Sequence, residues 1–336
     1  MAIAKTTDLT FTNERLIPFL EKKLLLHAGY TLRWYDISKK GELKKGSNAK
    51  TIRWFRRREA SAANVKSIAE GVNPEARGGH PVLQAAEATL AQYGDVYSLT
   101  DVMDAIDAYE PLKNEIGAMG EDAGLKVDTV IRDVVVAALL NSDNSLSRFA
   151  GVNTGDSSAD FTTLAAATNG ATYQFSRAFA LGMKTALRVK RAPKVDGKYY
   201  AGLIPPEHSH DFVQDTEWMN PSDYSKPEQR WAGEIGQMDG IRWIEIDNSF
   251  KESSTYGTFD AAGDVFSSFV VGRDAVGVPK MGGTNDPVKP KVFILDKEEK
   301  SDPLNLQIMA GWKVWWAAKV LNASFVCQGR ALSSFA

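Results

Sequence analysis

The densest group of chemistry-bearing side chains in this 336-residue chain is Pro205-Pro206-Glu207-His208-Ser209-His210-Asp211, which holds two of its four histidines. Two imidazoles at i, i+2 beside a carboxylate would suit a metal site on a strand, where alternate residues share one side. The prolines before them and Phe212-Val213 after them favour a helix start instead, where the pair diverges. No third or fourth ligand stands at a suitable spacing, so a solvated first helical turn is the better reading. A hydrolase using His208, His210 and Asp211 is the weakest of three functional readings.

Other catalytic signals are thin. The sequence has no Gly-x-Ser-x-Gly, no Walker-type phosphate loop, no His-Glu-x-x-His, no calcium-loop pattern and no Gly-x-Gly-x-x-Gly after a strand. The adjacent carboxylates Glu121-Asp122 and Glu298-Glu299 sit among charges and read as solvated surface. A single cysteine, Cys327, forms no internal disulfide or multi-thiolate site and reads as a small buried apolar side chain. Asn322-Ala323-Ser324 matches a glycosylation acceptor, but residues 1–8 lack an apolar leader run, so the match reads as chance. The residues point to no catalytic, cofactor-binding or metal-ligating set.

One local concentration remains, Arg53-Trp54-Phe55-Arg56-Arg57-Arg58, basic with interleaved aromatics. That mixture stacks on bases, grips phosphates or meets another protein. Glu59, Glu70 and Glu75 follow closely, which favours protein contact over nucleic-acid readout. Forty basic against 42 acidic residues, a net charge of −2, give no general pull toward nucleic acid or membrane. With 43% hydrophobic and 24% charged residues the chain is long enough for a well-buried core.

The elements that must position these groups begin with a rail. Every even-numbered residue from Leu304 to Val320 is apolar, the period of a strand, and so long a run must either bend, with Gly311 the expected place, or cross a large structure. On its other face Lys313, Trp315, Ala317 and Lys319 alternate, a pattern suited to contact with another chain. Residues 50–59 read as a strand with residues 82–93 as an antiparallel mate, joined by an Ala/Asn/Gly/Pro-rich tip at 61–80. Alanines 85, 86, 88 and 91 oppose that pairing on propensity.

Apolar or small residues at 112, 116, 119, 123, 127, 130, 134 and 138 mark a helix over 109–141. Gly117, Gly120 and Gly124 each weaken it by about 1 kcal/mol, so a break or a close approach is expected there. Further helices are expected at 13–26 and 173–191. A hairpin is expected over 234–247, turning at Asp239-Gly240, with strands at 265–272 and 291–296.

Short motifs then recur in a familiar order. They are Ala69-Glu70-Gly71 with Pro74, Gln92-Tyr93-Gly94 with Leu99-Thr100-Asp101, and Tyr200-Ala201-Gly202-Leu203-Ile204-Pro205. Gly233-Glu234-Ile235-Gly236 with Gly240-Ile241-Arg242-Trp243, Val271-Gly272-Arg273-Asp274-Ala275, and Asp302-Pro303-Leu304 with Gly311-Trp312-Lys313 follow. In this order the chain resembles the tailed-phage major capsid proteins of the Hong Kong 97-type fold, and closely the branch found in N-four-like podophages.

The resemblance implies an α+β fold with an N-terminal arm at 1–47 and an extended loop at 48–95. It implies a peripheral domain at 96–200 carrying the 109–141 spine helix, an axial domain at 201–303, and a return strand and C-terminus at 304–336. It implies no enzyme and no cofactor, but a shell of hexamers and pentamers of this chain in the virion, assembled in the host cytoplasm. Separate scaffolding and portal proteins are implied, with room for a decoration protein, weak non-specific contact with enclosed double-stranded DNA, and no membrane. Arg53, Trp54, Arg56, Arg57, Arg58, Lys313, Trp315 and Lys319 are then the candidates for inter-subunit contact. The rival reading from another class is a nucleic-acid-binding protein using Arg53 to Arg58.

Overall fold

A computed structural model describes residues 32–42, 50–57, 67, 70–71, 83–100, 111–140, 146–150, 174–213, 231, 233–252, 265–281, 288, 290–295 and 307–333. The helix expected at 13–26 and most of the 61–80 tip lie outside them.

The organising element is helix α2, Pro111–Leu140, which follows helix α1, Arg33–Ile37. Helix α2 is unbroken, and Gly117, Gly120 and Gly124 are buried within it. Their cost of about 3 kcal/mol in all is outweighed by Ile116, Met119, Val127, Ile131, Val135 and Leu139. Each of these buried side chains contributes about 1.5–3 kcal/mol. From Ile116 to Val127 the buried stripe follows the expected positions, and it then steps to 131, 135 and 139 instead of 130, 134 and 138. Steps of four on a helix of 3.6 residues per turn make the stripe drift, so the elements it meets cross its axis obliquely.

Those elements are strands. β13, Gln307–Trp316, lies between β12, Lys291–Leu295, and β4, Ala91–Thr100, in an antiparallel three-stranded sheet. Ala310, Trp312, Val314 and Trp316 are buried, as the alternation requires. The expected bend at Gly311 is corrected: Gly311 pairs with Phe293 on one side and Val96 on the other in mid-strand. The interruption comes instead after Trp316, before the short strand β14, Lys319–Val320.

The segment read as a single mate, 82–93, divides at Leu90. β3, Leu83–Thr89, pairs with β2, Thr51–Arg57, while β4 pairs with β13. β14 joins β1, Lys39–Gly41, and β11, Val276–Pro279, in a second three-stranded sheet.

The large core is a mixed seven-stranded sheet. Its central strands are β10, Val265–Val271, and β15, Val326–Ala331, each buried throughout. β5, Ser147–Phe149, lies beside β15. Beyond β10 come β6, Tyr200–Ile204, then β8, Ile241–Glu245, and β7, Glu234–Met238, while β9, Lys251–Glu252, pairs with β10.

The β7–β8 turn is Asp239-Gly240, with φ of 53° and 78°, the pair of left-handed residues that a tight hairpin needs. Arg177 and Lys184 of α3, Arg177–Val189, clasp it by hydrogen bonds to the Asp239 carboxylate and carbonyl. Ser176 caps α3 by accepting from Phe179 N–H.

The final strand β15 therefore sits in the seven-stranded sheet and not in the sheet of β13, although 304–336 reads as one peripheral return in the sequence. Two turn residues move it across, since the Asn322 side chain accepts from Ser324 N–H to open a short 3-10 turn at Ala323–Phe325. The apparent glycosylation acceptor is thus a turn. No helix among the described residues is long and apolar enough to cross a membrane.

Candidate inter-subunit surfaces

The hairpin of β2 and β3 is a separate two-stranded sheet. Such a pair is marginal in water unless one face is covered. Ile52 and Trp54 supply that face and, with Ala88, Leu90 and Ala317, form a small core of their own, edged by Trp315 and Leu321. The Trp54 indole lies across two glycines. A Cβ on Gly41 would stand 2.5 Å from Trp54 Nε1, and one on Gly277 would stand 2.8 Å from Trp54 Cε2. β1 and β11 thereby give the indole a slot in which two positions carry no side chain, flanked by Ile52 and Leu321.

Trp54 is 5% exposed and belongs to its own subunit's packing, which corrects its place among the contact candidates. The opposite face of the hairpin is open. Arg53 Nε meets Glu87 Oε1 at 2.8 Å across the strands, and Phe55 is 59% exposed. Both partners of that ion pair are well exposed, so it contributes about 0–1 kcal/mol. Arg56 and Arg57 are described by strand register alone, opposite Gln84 and Leu83, and Arg58 lies outside the described residues.

Lys313 and Lys319 are exposed, and Trp315 is half-buried with Lys50 Nζ 5.9 Å from its ring centre. Trp315 thus touches the hairpin base of its own chain and keeps an open edge. The structure brings Trp54 and Trp315 into one cluster and leaves Arg53 on the far face of the hairpin.

The histidine motif separates as a helix demands. In α4, Pro206–Val213, His208 is fully buried and His210 exposed, because i and i+2 point to different sides. The expectation of a solvated turn is right for the helix and for His210 and wrong for His208. Its Nδ1 lies 2.7 Å from Ser268 Oγ, its Nε2 lies 3.1 Å from the Ala331 carbonyl, and its ring stacks on Phe175. Burial holds its pKa down at about 4, so the ring is neutral. This serine–histidine pair is sealed from solvent, and it ties α4 to β10 and β15.

A second buried titratable group, Asp128 on α2, accepts from the Trp34 backbone N–H at 2.9 Å and also binds that of Tyr35. In the sequence it is only one acidic residue on a helix, with no neighbouring signal of burial. It fixes α1 to the spine helix by satisfying amides at the N-terminal end of α1. Burial raises its pKa to about 7 against the lowering effect of those hydrogen bonds and of Arg132. Among the described residues no group of three or more His, Cys, Asp or Glu is arranged to hold a metal.

No family model matches the sequence, and no curated protein matches it. Solved structures do match by shape. The capsid of Ralstonia phage GP4 aligns at a TM-score of 0.65 and 12% identity, covering 89% of this chain and 87% of that chain. The head structure of Helicobacter pylori bacteriophage KHP40 aligns at 0.58 and 9%, covering 91% of each. An encapsulin complex from Synechococcus elongatus aligns at 0.51 and 10%, covering 90% and 89%. Over most of its length the chain has the Hong Kong 97-type capsid fold, an α+β arrangement in which several sheets gather about one long helix.

Proposed function

We propose that this chain is a tailed-phage major capsid protein, a non-enzymatic subunit that assembles into an icosahedral shell around double-stranded DNA. The reading rests on one observation above others: a shell-building fold followed over 89% of the chain, with a projecting hairpin anchored on one face and open on the other. Residues 1–47 act as an arm and 48–95 as a loop over the neighbouring subunit. The 109–141 helix and most of 304–336 act as the peripheral body, and 201–303 is the axial region.

Arg53, Arg56, Arg57, Arg58, Trp315 and Lys319 are the residues that meet other copies, while Lys313 stands at the edge of that surface. Each contact is weak, but a closed lattice repeats it at every equivalent position. Assembly draws on separate scaffolding and portal proteins, and the near-neutral charge lets packed DNA leave the shell.

Trp315→Ala and the double substitution Arg56→Ala with Arg57→Ala test the assignment by sedimentation of assembled particles. Trp315→Ala is expected to lower the yield of closed particles while costing the subunit only about 1–2 kcal/mol, since the ring is half-buried. The arginine pair is expected to lose assembly. An unchanged particle yield, together with loss of a salt-dependent DNA affinity, would instead support a nucleic-acid-binding protein.

A further inference from the structure

The β12–β13–β4 sheet has two unlike faces. Trp312, Val314, Trp316, Tyr93 and Tyr97 point toward α2, where Lys126 Nζ lies 5.5 Å from the Tyr93 ring and Tyr97 Oη donates to Asp122. On the other face, the end carrying Trp315 is covered by the hairpin base, and of the described side chains beyond it Phe293, Met309, Lys313 and Val96 are exposed and Lys291 half-buried about a buried Gly311.

Across that open part Phe293, Gly311 and Val96 stand side by side, and the next row is Lys291, Lys313 and Gly94. Phe293 is 50%, Val96 66% and Met309 39% exposed, three large apolar side chains around a residue with none. They line a groove of about 450 Å³. Gly311 has little room for a side chain, because its Cβ would stand 3.1 Å from the Asp95 carbonyl and 3.2 Å from Val96 Cγ2.

Charge narrows the choice of occupant. Lys291 and Lys313 are direct cross-strand neighbours, and like charges so placed destabilise a sheet. Asp95 stands in the intervening row opposite Trp312, with Oδ1 accepting from Val96 N–H at 2.8 Å. Among the described residues neither lysine is paired with a carboxylate, and the row calls for carboxylates from elsewhere. This chain's own hairpin is a poor source, since it offers Arg53, Arg56, Arg57 and Arg58 along one strand and Glu87 opposite Arg53.

We infer that this face binds an acidic amphipathic segment of a different protein chain. A large apolar side chain of that segment sits over Gly311 between Phe293 and Val96, and a carboxylate one row along lies between Lys291 and Lys313. Rows on one face are about 7 Å apart, which an extended segment matches with residues two apart. The site adds a partner's chemistry to the shell reading, and it is testable on the unassembled full-length chain whether or not that reading holds.

The probe is a fluorescein-labelled peptide alternating glutamate with leucine and phenylalanine, titrated against the same peptide with lysine at every glutamate. The unaltered chain is expected to bind the acidic peptide at least tenfold more tightly than the basic one. Lys291→Glu with Lys313→Glu should reverse that preference, and Phe293→Ser should weaken the acidic peptide about tenfold, each with unchanged circular dichroism. Equal binding of the two peptides, or a preference unmoved by the charge reversal, overturns the inference. If the charge reversal abolishes self-association and the acidic peptide never bound, the face belongs to a second copy and the inference is likewise overturned. Particle yield measured separately reports on the shell reading alone.

Discussion

Replacing Trp54 with alanine is expected to release the β2–β3 hairpin while the rest of the subunit stays folded. Truncating a buried tryptophan costs about 3–5 kcal/mol. Here the loss falls on a cluster of five buried residues that is separate from the main core, where Ile52 and Leu321 beside the Gly41/Gly277 slot are too small to replace an indole. A two-stranded sheet without cover does not persist in water. Hydrogen exchange should therefore show 51–57 and 83–89 losing protection to near solvent rates, with α2 and β10 unchanged, and particle yield should fall with the hairpin. Gly41→Val, which puts side-chain atoms where the indole lies, should give the same pattern. Retained hairpin protection in both variants would mean that the slot is not the anchor.

A second large effect lies in pH dependence, where two buried groups oppose one another. Asp128 titrates near 7 in the folded chain and near 3.8 when unfolded. Its folded form holds a proton that the unfolded form has released, so its contribution is complete below about pH 4 and is lost as pH rises through 7. His208 titrates near 4 when folded and near 6.5 when unfolded, so its contribution is present above about pH 6.5 and is lost as pH falls toward 4.

Each effect is on the order of 3–4 kcal/mol, and over the shared window they nearly cancel. Denaturant unfolding of the unassembled chain should thus vary little between pH 7 and 4.5. Asp128→Asn keeps an oxygen for the Trp34 amide and removes the carboxyl titration. Its stability should fall with pH over that interval by on the order of 3 kcal/mol. His208→Gln should show the opposite slope whatever its absolute stability. Asp239, held low by hydrogen bonding to Arg177, changes nothing until the pH is below its ordinary 3.8. Parallel slopes in the two variants would contradict the assignment.

Local signals carried well from sequence to structure. The Asp239-Gly240 turn, the long helix and the even-numbered burial of β13 follow from residues a few positions apart. What the sequence hid depends on long-range pairing. β3 forms a strand despite alanines that favour helix, because Ile52 and Trp54 across from it carry the burial. Strands β1, β9, β11 and β14 are two to four residues long and have no period to read. The Trp54 slot required knowing that Gly41 and Gly277 are brought together beneath one ring.

The basic aromatic run looked like a surface because arginines surround its tryptophan. Burial of that tryptophan depends on which of two strand faces meets the body. The burial of His208 is hidden for a related reason, since a helix with prolines at its start reads as solvent-facing until a sheet is laid against one side of it.

The central claim is that identical copies of this chain close into a shell, and electron microscopy of the purified, concentrated full-length chain tests it most directly. The proposed role predicts closed particles, or rings of five and six subunits, whose averaged density places a neighbour against the exposed face of β2. A strictly monomeric species at every concentration and salt reached would contradict it.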